Sequence, residues 1–232
     1  DCDHFFFKNC AVKVTAEGLQ PVDYKDLDFC VNRLAIKDYN YTPVREPLFE
    51  IVKNPEYDIA KSRFEERMAD KKLTEDERNA ETARFTAYER LWRYKLKFDK
   101  PMEELPPTLQ LLYDASRVHW KKEEVGMPLT AEEKQRQDMH FVSKVSTLGY
   151  LLSRYRTGVT PRISFFTDYS VADEGRSNGG TGKSFMLDLL SVVRNACYVP
   201  GKGLKTKENF ARNFAEFKDT IDSVIFIDDL RK

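Results

Sequence analysis

Glycine enters a left-handed turn without strain, and this chain sets three glycines in four positions directly ahead of a helical pattern. The segment Gly179-Gly180-Thr181-Gly182-Lys183-Ser184 runs straight into Phe185-Met186-Leu187-Asp188-Leu189-Leu190. Such a bend turns successive backbone N–H groups inward, where they suit phosphate oxygens. The helix, expected from about Lys183 to Val193, adds the positive end of its dipole at the same spot. In that arrangement Lys183 reaches the β- and γ-phosphates of a nucleotide and the Ser184 hydroxyl ligates Mg2+. Phe185, Leu189 and Val192 would then form the buried face. The pattern is that of a phosphate-binding loop, G-x-x-x-x-G-K-[ST], with Ser177 at the first glycine position and Gly175 and Gly179 on either side. The competing reading is an ordinary glycine-rich turn before a helix.

The surroundings alternate strand, loop and helix. Arg162–Thr167 suits a strand, and a polar insert, Asp168–Ser177, separates it from the loop. Cys197-Tyr198-Val199 reads as a short strand and Glu208–Lys218 as a helix. Val224-Ile225-Phe226-Ile227 reads as a buried strand that ends in Asp228-Asp229. This rhythm predicts a parallel sheet with crossover helices. The terminal acids of a buried strand lie at the carboxyl edge of such a sheet, where a phosphate loop also opens. Asp228 is then placed to hold the Mg2+ shell through water, and Asp229 to orient or deprotonate the attacking water. A solvated turn is the plainer alternative for the two acids. Together the motifs point to a nucleoside triphosphate with Mg2+; the choice of ATP comes with the resemblance given below.

Upstream the chain is of another kind. Phe5–Val14 alternates at period two around Lys8-Asn9 and predicts a small β-hairpin, with Phe5 and Phe7 on one face and Val12 and Val14 sharing another. Tyr24 to about Leu34 reads as helical. Residues 53–100 hold thirteen Lys/Arg and eleven Asp/Glu, with no Gly or Pro between Pro55 and Pro101. That density predicts solvated helices laced with i,i+4 pairs. Thr74-Glu75-Asp76-Glu77 is a capping box that starts a second helix. Its apolar stripe is Phe85, Tyr88, Leu91 and Trp92, continued by Lys95. Thr130-Ala131-Glu132-Glu133 is another capping box, opening a helix whose buried face is Phe141, Val145, Leu148, Leu152 and Tyr155. Gly158 and Pro161 would end that helix.

Composition excludes some classes. The 232 residues (27.1 kDa) are 41% hydrophobic and 33% charged, with 38 Lys+Arg against 38 Asp+Glu. Any nucleic-acid surface must therefore be a local patch. Arg194, Lys202, Lys205, Lys207 and Arg212 form one candidate, with a solvated loop as its plain reading. No run of 18 apolar residues occurs, which excludes a membrane-spanning helix by the length rule. Nothing reads as a secretory signal either. Cys2, Cys10, Cys30 and Cys197 have no C-x-x-C spacing and read as reduced thiols rather than metal ligands. His119 and His140 lack a partner at ligand spacing.

Leu148-Gly149-Tyr150-Leu151-Leu152, followed by Glu174-Gly175-Arg176-Ser177-Asn178-Gly179-Gly180-Thr181-Gly182-Lys183-Ser184, resembles the superfamily-three helicase domain of primase-helicase proteins from phages, plasmids and mobile elements. The Bacteroides-type variety is the most similar, and Phe5–Val14 resembles the region ahead of its motor. The resemblance is specific over about 140–232 and looser over 1–50. It implies a hexameric, ATP-driven helicase moving on single-stranded DNA in the bacterial host cytoplasm, with or without a primase domain upstream. Lys183 and Ser184 match the family's Walker A residues, and Asp228 and Asp229 its Walker B acids. The family's sensor asparagine, DNA-contacting hairpin and arginine finger lie after Walker B, where this chain stops. A fragment of a longer chain is therefore expected, one that by itself binds nucleotide weakly and hydrolyses it poorly.

The resulting expectation is a partial α/β P-loop NTPase core with a parallel sheet, preceded by a mainly α-helical region with a small N-terminal β-hairpin. Its domains would be 1–55 (hairpin and helix), 56–135 (charged helices) and 136–232 (partial helicase ATPase). Two other functions remain open: a different P-loop ATPase, such as a loader or packaging motor, and a nucleotide-binding assembly module without turnover.

Overall fold

The computed structural model describes residues 3–44, 46–153, 164, 166, 182–201 and 223–228. In chain order the elements begin with β1 (Asp3–Phe6), β2 (Ala11–Thr15), β3 (Gly18–Val22) and β4 (Phe49–Lys53). Next come α1 (Pro55–Met68), α2 (Glu75–Trp92), β5 (Tyr94–Phe98), α3 (Pro107–Asp114), α4 (Trp120–Glu124) and α5 (Ala131–Leu152). Then follow α6 (Lys183–Val193), β6 (Asn195–Pro200) and β7 (Ser223–Asp228). The chain forms two compact units, Asp1–Pro43 with Thr147–Lys232, and Val44–Ser146.

In the first unit the expected hairpin is present. Phe5 lies opposite Val12 and Phe6 opposite Ala11, and the Phe7 N–H closes the turn onto the Cys10 carbonyl at 2.9 Å. β3 widens it to a three-stranded antiparallel meander. Gly18 and Pro21 hide this strand from a propensity reading, yet an edge strand tolerates both. The buried residues are Phe6, Phe7, Ala11 and Val12 rather than one alternating face. A neighbouring segment explains this: the Lys37 N–H donates to the Phe6 carbonyl at 2.9 Å and the Lys8 N–H to the Tyr39 carbonyl at 3.0 Å. Phe7 then packs near Tyr39 and Tyr41.

The helix expected over Tyr24–Leu34 is instead two 3-10 turns, Tyr24–Asp26 and Arg33–Ala35. Asp23 accepts from the Lys25 N–H and Asn32 from the Leu34 N–H. Short Asx side chains of this kind offer the backbone a turn in competition with a helix.

The fold class also needs correction. An α/β P-loop core would show a broad parallel sheet, whereas the described residues are dominated by six helices and two small antiparallel sheets, of three and two strands. Parallel pairing among named strands is confined to β6 with β7, running in register from Asn195–Ser223 to Pro200–Asp228. Central strands of a doubly wound sheet are covered on both faces. Here Tyr198 is 51% and Ile225 42% exposed. Local strand–helix alternation was legible, but it did not dictate how many strands join. Of the expected strand Arg162–Thr167, Ser164 and Phe166 are described and have no regular structure. Its other residues, and the expected helix Glu208–Lys218, lie outside the described residues.

The second unit is built on a charged helical pair and an aromatic core. α1 is capped by Asn54 with Pro55 at its first position, and α2 by the full Thr74–Glu77 capping box. Arg78 closes the turn between them, donating to the Met68 and Asp70 carbonyls at 2.7 and 2.6 Å. Lys95 does not continue the α2 stripe: the chain leaves the helix at Arg93 and pairs β5 antiparallel with β4. Phe49 and Phe98 are cross-strand partners in that pair. Phe141 of α5, fully buried, meets Phe49, Phe98 and Tyr113 at ring distances of 5.4, 5.8 and 5.6 Å. Edge-to-face and tilted contacts of this kind add to the burial of large apolar area. Gln135 joins α5 to the α2–β5 corner, donating to the Leu91 and Tyr94 carbonyls.

Candidate functional site

α6 begins where the sequence places it. Gly182 has φ +78° and ψ 11°, the left-handed conformation that a side chain resists, and Lys183 and Ser184 are the first helical residues. Among the described residues no side chain caps this end. A helix N-terminus carries N–H groups without intrahelical acceptors, and such groups suit an anion. Ser184 is exposed and Lys183 half-buried. The donor set fits a phosphate with its Mg2+: a glycine that lets the backbone approach closely, a lysine, and a hydroxyl open to solvent.

The buried face of α6 differs from the expected one. Met186 and Leu190 are buried, Phe185 and Leu189 half-buried, and Val192 is 49% exposed. The helical period is right, but the face is turned by one residue, because the side that meets the sheet depends on β6 and not on the helix alone.

The site residues divide as follows. Gly182, Lys183 and Ser184 are brought together at the start of α6. Asp228 is the last residue of β7, paired in register with Pro200. Gly179, Gly180, Thr181 and Asp229 lie outside the described residues, as do Lys202, Lys205, Lys207 and Arg212 of the basic patch.

Arg194, assigned to that patch, is corrected. It is 5% exposed and forms an internal hub. Its Nε donates to the Leu152 carbonyl at the end of α5 at 3.0 Å, and Nη1 to the His4 carbonyl at 3.4 Å. Nη2 lies 3.5 Å from Asp3 Oδ1, and the guanidinium sits 4.1 Å from the Phe5 ring centre. A buried cation needs this density of partners to remain charged.

Lys37, which no sequence pattern marks, completes the hub. Its ammonium donates to the Ser191 and Arg194 carbonyls at 3.1 and 2.9 Å and to Asn195 Oδ1 at 3.3 Å. It therefore caps the carboxyl end of α6, where a cation opposes the negative dipole end. Burial, then the nearby Arg194 charge, pulls its pKa below the ordinary lysine value. The helix that opens on the glycine loop is thus fixed at its far end by the N-terminal segment.

The second unit carries titratable groups of its own. The Tyr113 hydroxyl donates to Asp138 Oδ1 at 2.9 Å. Burial raises the pKa of both, well above the usual range for Tyr113. His140 Nδ1 faces the Ser116 carbonyl at 3.3 Å, and burial lowers its pKa. Lys144 donates to the Ala115 carbonyl and is likewise lowered by burial. His140 is thus a satisfied core histidine. His119 differs: its buried Nε2 has no hydrogen-bond partner among the described residues. No cluster of three or more His, Cys, Asp or Glu residues suited to a metal occurs among the described residues, and none of their helices is long and apolar enough to cross a membrane. Compared with protein-family models, curated proteins and solved structures, the chain matches none.

Proposed function

We propose that the segment ending in Gly182-Lys183-Ser184 binds the phosphates of Mg-ATP, and that the chain is the ATP-binding portion of a replicative DNA helicase of a phage or mobile element. The observation that carries the reading is Gly182 in the left-handed conformation at the start of α6, followed at once by Lys and Ser. Lys183 would neutralise phosphate charge, the backbone N–H groups of the first turn would hold phosphate oxygens, and Ser184 with Asp228 would hold Mg2+. The metal, when bound, supplies electrostatic stabilisation of charge on the transferring phosphoryl group. Asp229 would orient the attacking water. Single-stranded DNA as partner, a hexameric assembly and a cytoplasmic setting belong to the same proposal and rest on the helicase resemblance.

Calorimetric titration of Mg-ATP into the chain beside Lys183→Ala tests it. Saturable binding that disappears in the variant is the expected result. Equal binding by both proteins, or by neither, overturns the phosphate-loop reading for this chain. Asp229→Asn separates a motor from an assembly module: a motor loses turnover while keeping nucleotide, whereas a module loses nothing.

A further inference from the structure

We propose, resting on the nucleotide reading, that Lys37 is a positioning residue for the phosphate loop. It ties the N-terminal strands to the far end of α6, so that Mg-ATP at the start of the helix and those strands at its end strengthen each other.

Lys37 is held through both its backbone and its side chain. The backbone forms a parallel bridge with Phe7, and its N–H donates to the Phe6 carbonyl at 2.9 Å, beside the end of β1. The side chain reaches residues 154 to 158 positions further along the chain. An ammonium carries three protons, and the Ser191 carbonyl, the Arg194 carbonyl and Asn195 Oδ1 provide one acceptor for each. Ser191 lies in the last turn of α6 and Arg194 is its C-cap, where a helix leaves carbonyls without donors of its own. A second strap runs the opposite way. From the residue that follows α6, the Arg194 guanidinium reaches the Leu152 and His4 carbonyls and Asp3.

The helix between loop and strap is short. Its eleven residues span about 16 Å, roughly twice the screening length of physiological salt, so the Lys37 charge acts only weakly on a phosphate at the other end. The coupling is mechanical instead. Lys183 and Ser184 are the first two helical residues and take their positions from the helix, while Gly182 ahead of them is a pivot rather than a brace. A helix whose far end is already fixed has less motion to lose when its first turn closes on phosphate oxygens. By linkage, whatever the strap does for nucleotide affinity, nucleotide does for the strap.

Calorimetry with Mg-ATP and amide hydrogen exchange, both on the full chain, test this. Lys37→Met keeps the length of the side chain and removes its donors, and should weaken Mg-ATP about fivefold or more. Lys37→Arg, which keeps donors and charge, should restore most of that affinity. Leu109→Val, which loosens the core of the other unit, should leave it unchanged. In the wild-type chain Mg-ATP should slow exchange of the Lys37 and Lys8 amides, which donate to the Phe6 and Tyr39 carbonyls, but not of the amides around Phe141. That protection should disappear in Lys37→Met. Undiminished affinity in Lys37→Met, an equal loss in Leu109→Val, or no slowing at Lys37 and Lys8 in a wild-type chain that binds Mg-ATP overturns the coupling and leaves the phosphate loop standing. A wild-type chain that binds no Mg-ATP overturns the phosphate-loop reading, and the coupling falls with it.

Discussion

Asn54 secures two helices at once. It is fully buried, its Oδ1 accepts the Glu56 N–H at the start of α1, and its Nδ2 donates to the Trp92 carbonyl at the end of α2 at 2.8 Å. Asn54→Ala removes the cap and strands a buried carbonyl, so urea unfolding should register a loss of about 2–3 kcal/mol. Asn54→Asp keeps the cap but sets a buried carboxylate oxygen against the Trp92 carbonyl, so it should lose at least as much as Asn54→Ala. Glu133 gives a pH signature. Lys122, then the Thr130 N–H, hold its carboxyl far below the usual 4.5, at about 2. Because the folded value is depressed, the stability it contributes is complete above the ordinary value and is lost as pH falls from about 4.5 toward 2. A stability–pH curve for Glu133→Gln should be flatter than wild type across that window and parallel to it at neutral pH. Both capping boxes were legible in the sequence because every partner sits within four residues. The same holds for the start of α6, where Gly182, Lys183 and Ser184 carry their own instructions. The Asn54–Trp92 bond, and the reach of Lys37 to the end of α6, join residues with no shared local pattern. Nothing in the linear chain could announce them.

Among the elements, the α1–α2 pair tests how charged helices stay together. No residue of α2 is buried, and Tyr57 is the buried residue of α1. The contact instead runs through half-buried rings: Phe64 stacks on Phe85 at 4.2 Å with planes 5° apart, and Tyr57 lies 6.1 Å from Phe85 on the other side. Phe85→Leu keeps apolar volume but removes the stack, which should cost about 1–2 kcal/mol. Hydrogen exchange should then quicken through α1 and α2 while the amides around Phe141 stay protected. The helices were readable here because charge density and capping residues repeat along the sequence. β4 and β5 were not. Tyr94-Lys95-Leu96-Lys97-Phe98 alternates at period two, yet it follows α2 after a single residue, and Lys95 falls at helical spacing from Leu91 and Trp92. A short strand joined to a strong helix inherits the period of its neighbour unless its partner, here Phe49–Lys53, is known.

At the scale of the molecule, Val44–Ser146 has its own centre in Phe49, Phe98, Tyr113 and Phe141, with Leu109 and Leu112 also buried. Residues 44–146 produced alone should therefore unfold in one cooperative thermal transition, checked by near-ultraviolet circular dichroism for fixed aromatic packing. Loss of that aromatic signal would mean that the core depends on the rest of the chain. The first unit is different in kind, since its parts come from both ends of the sequence. Its hub joins Asp3, His4 and Lys37 to Arg194, and the His4–Arg194 bond spans 190 positions. On a ribosome that delivers the chain from its amino end, Asp3 and Lys37 must wait until α6 has emerged. Val44–Ser146 is complete well before then. The N-terminal strands thus remain, until α6 has been made, without the arginine whose guanidinium sits over Phe5.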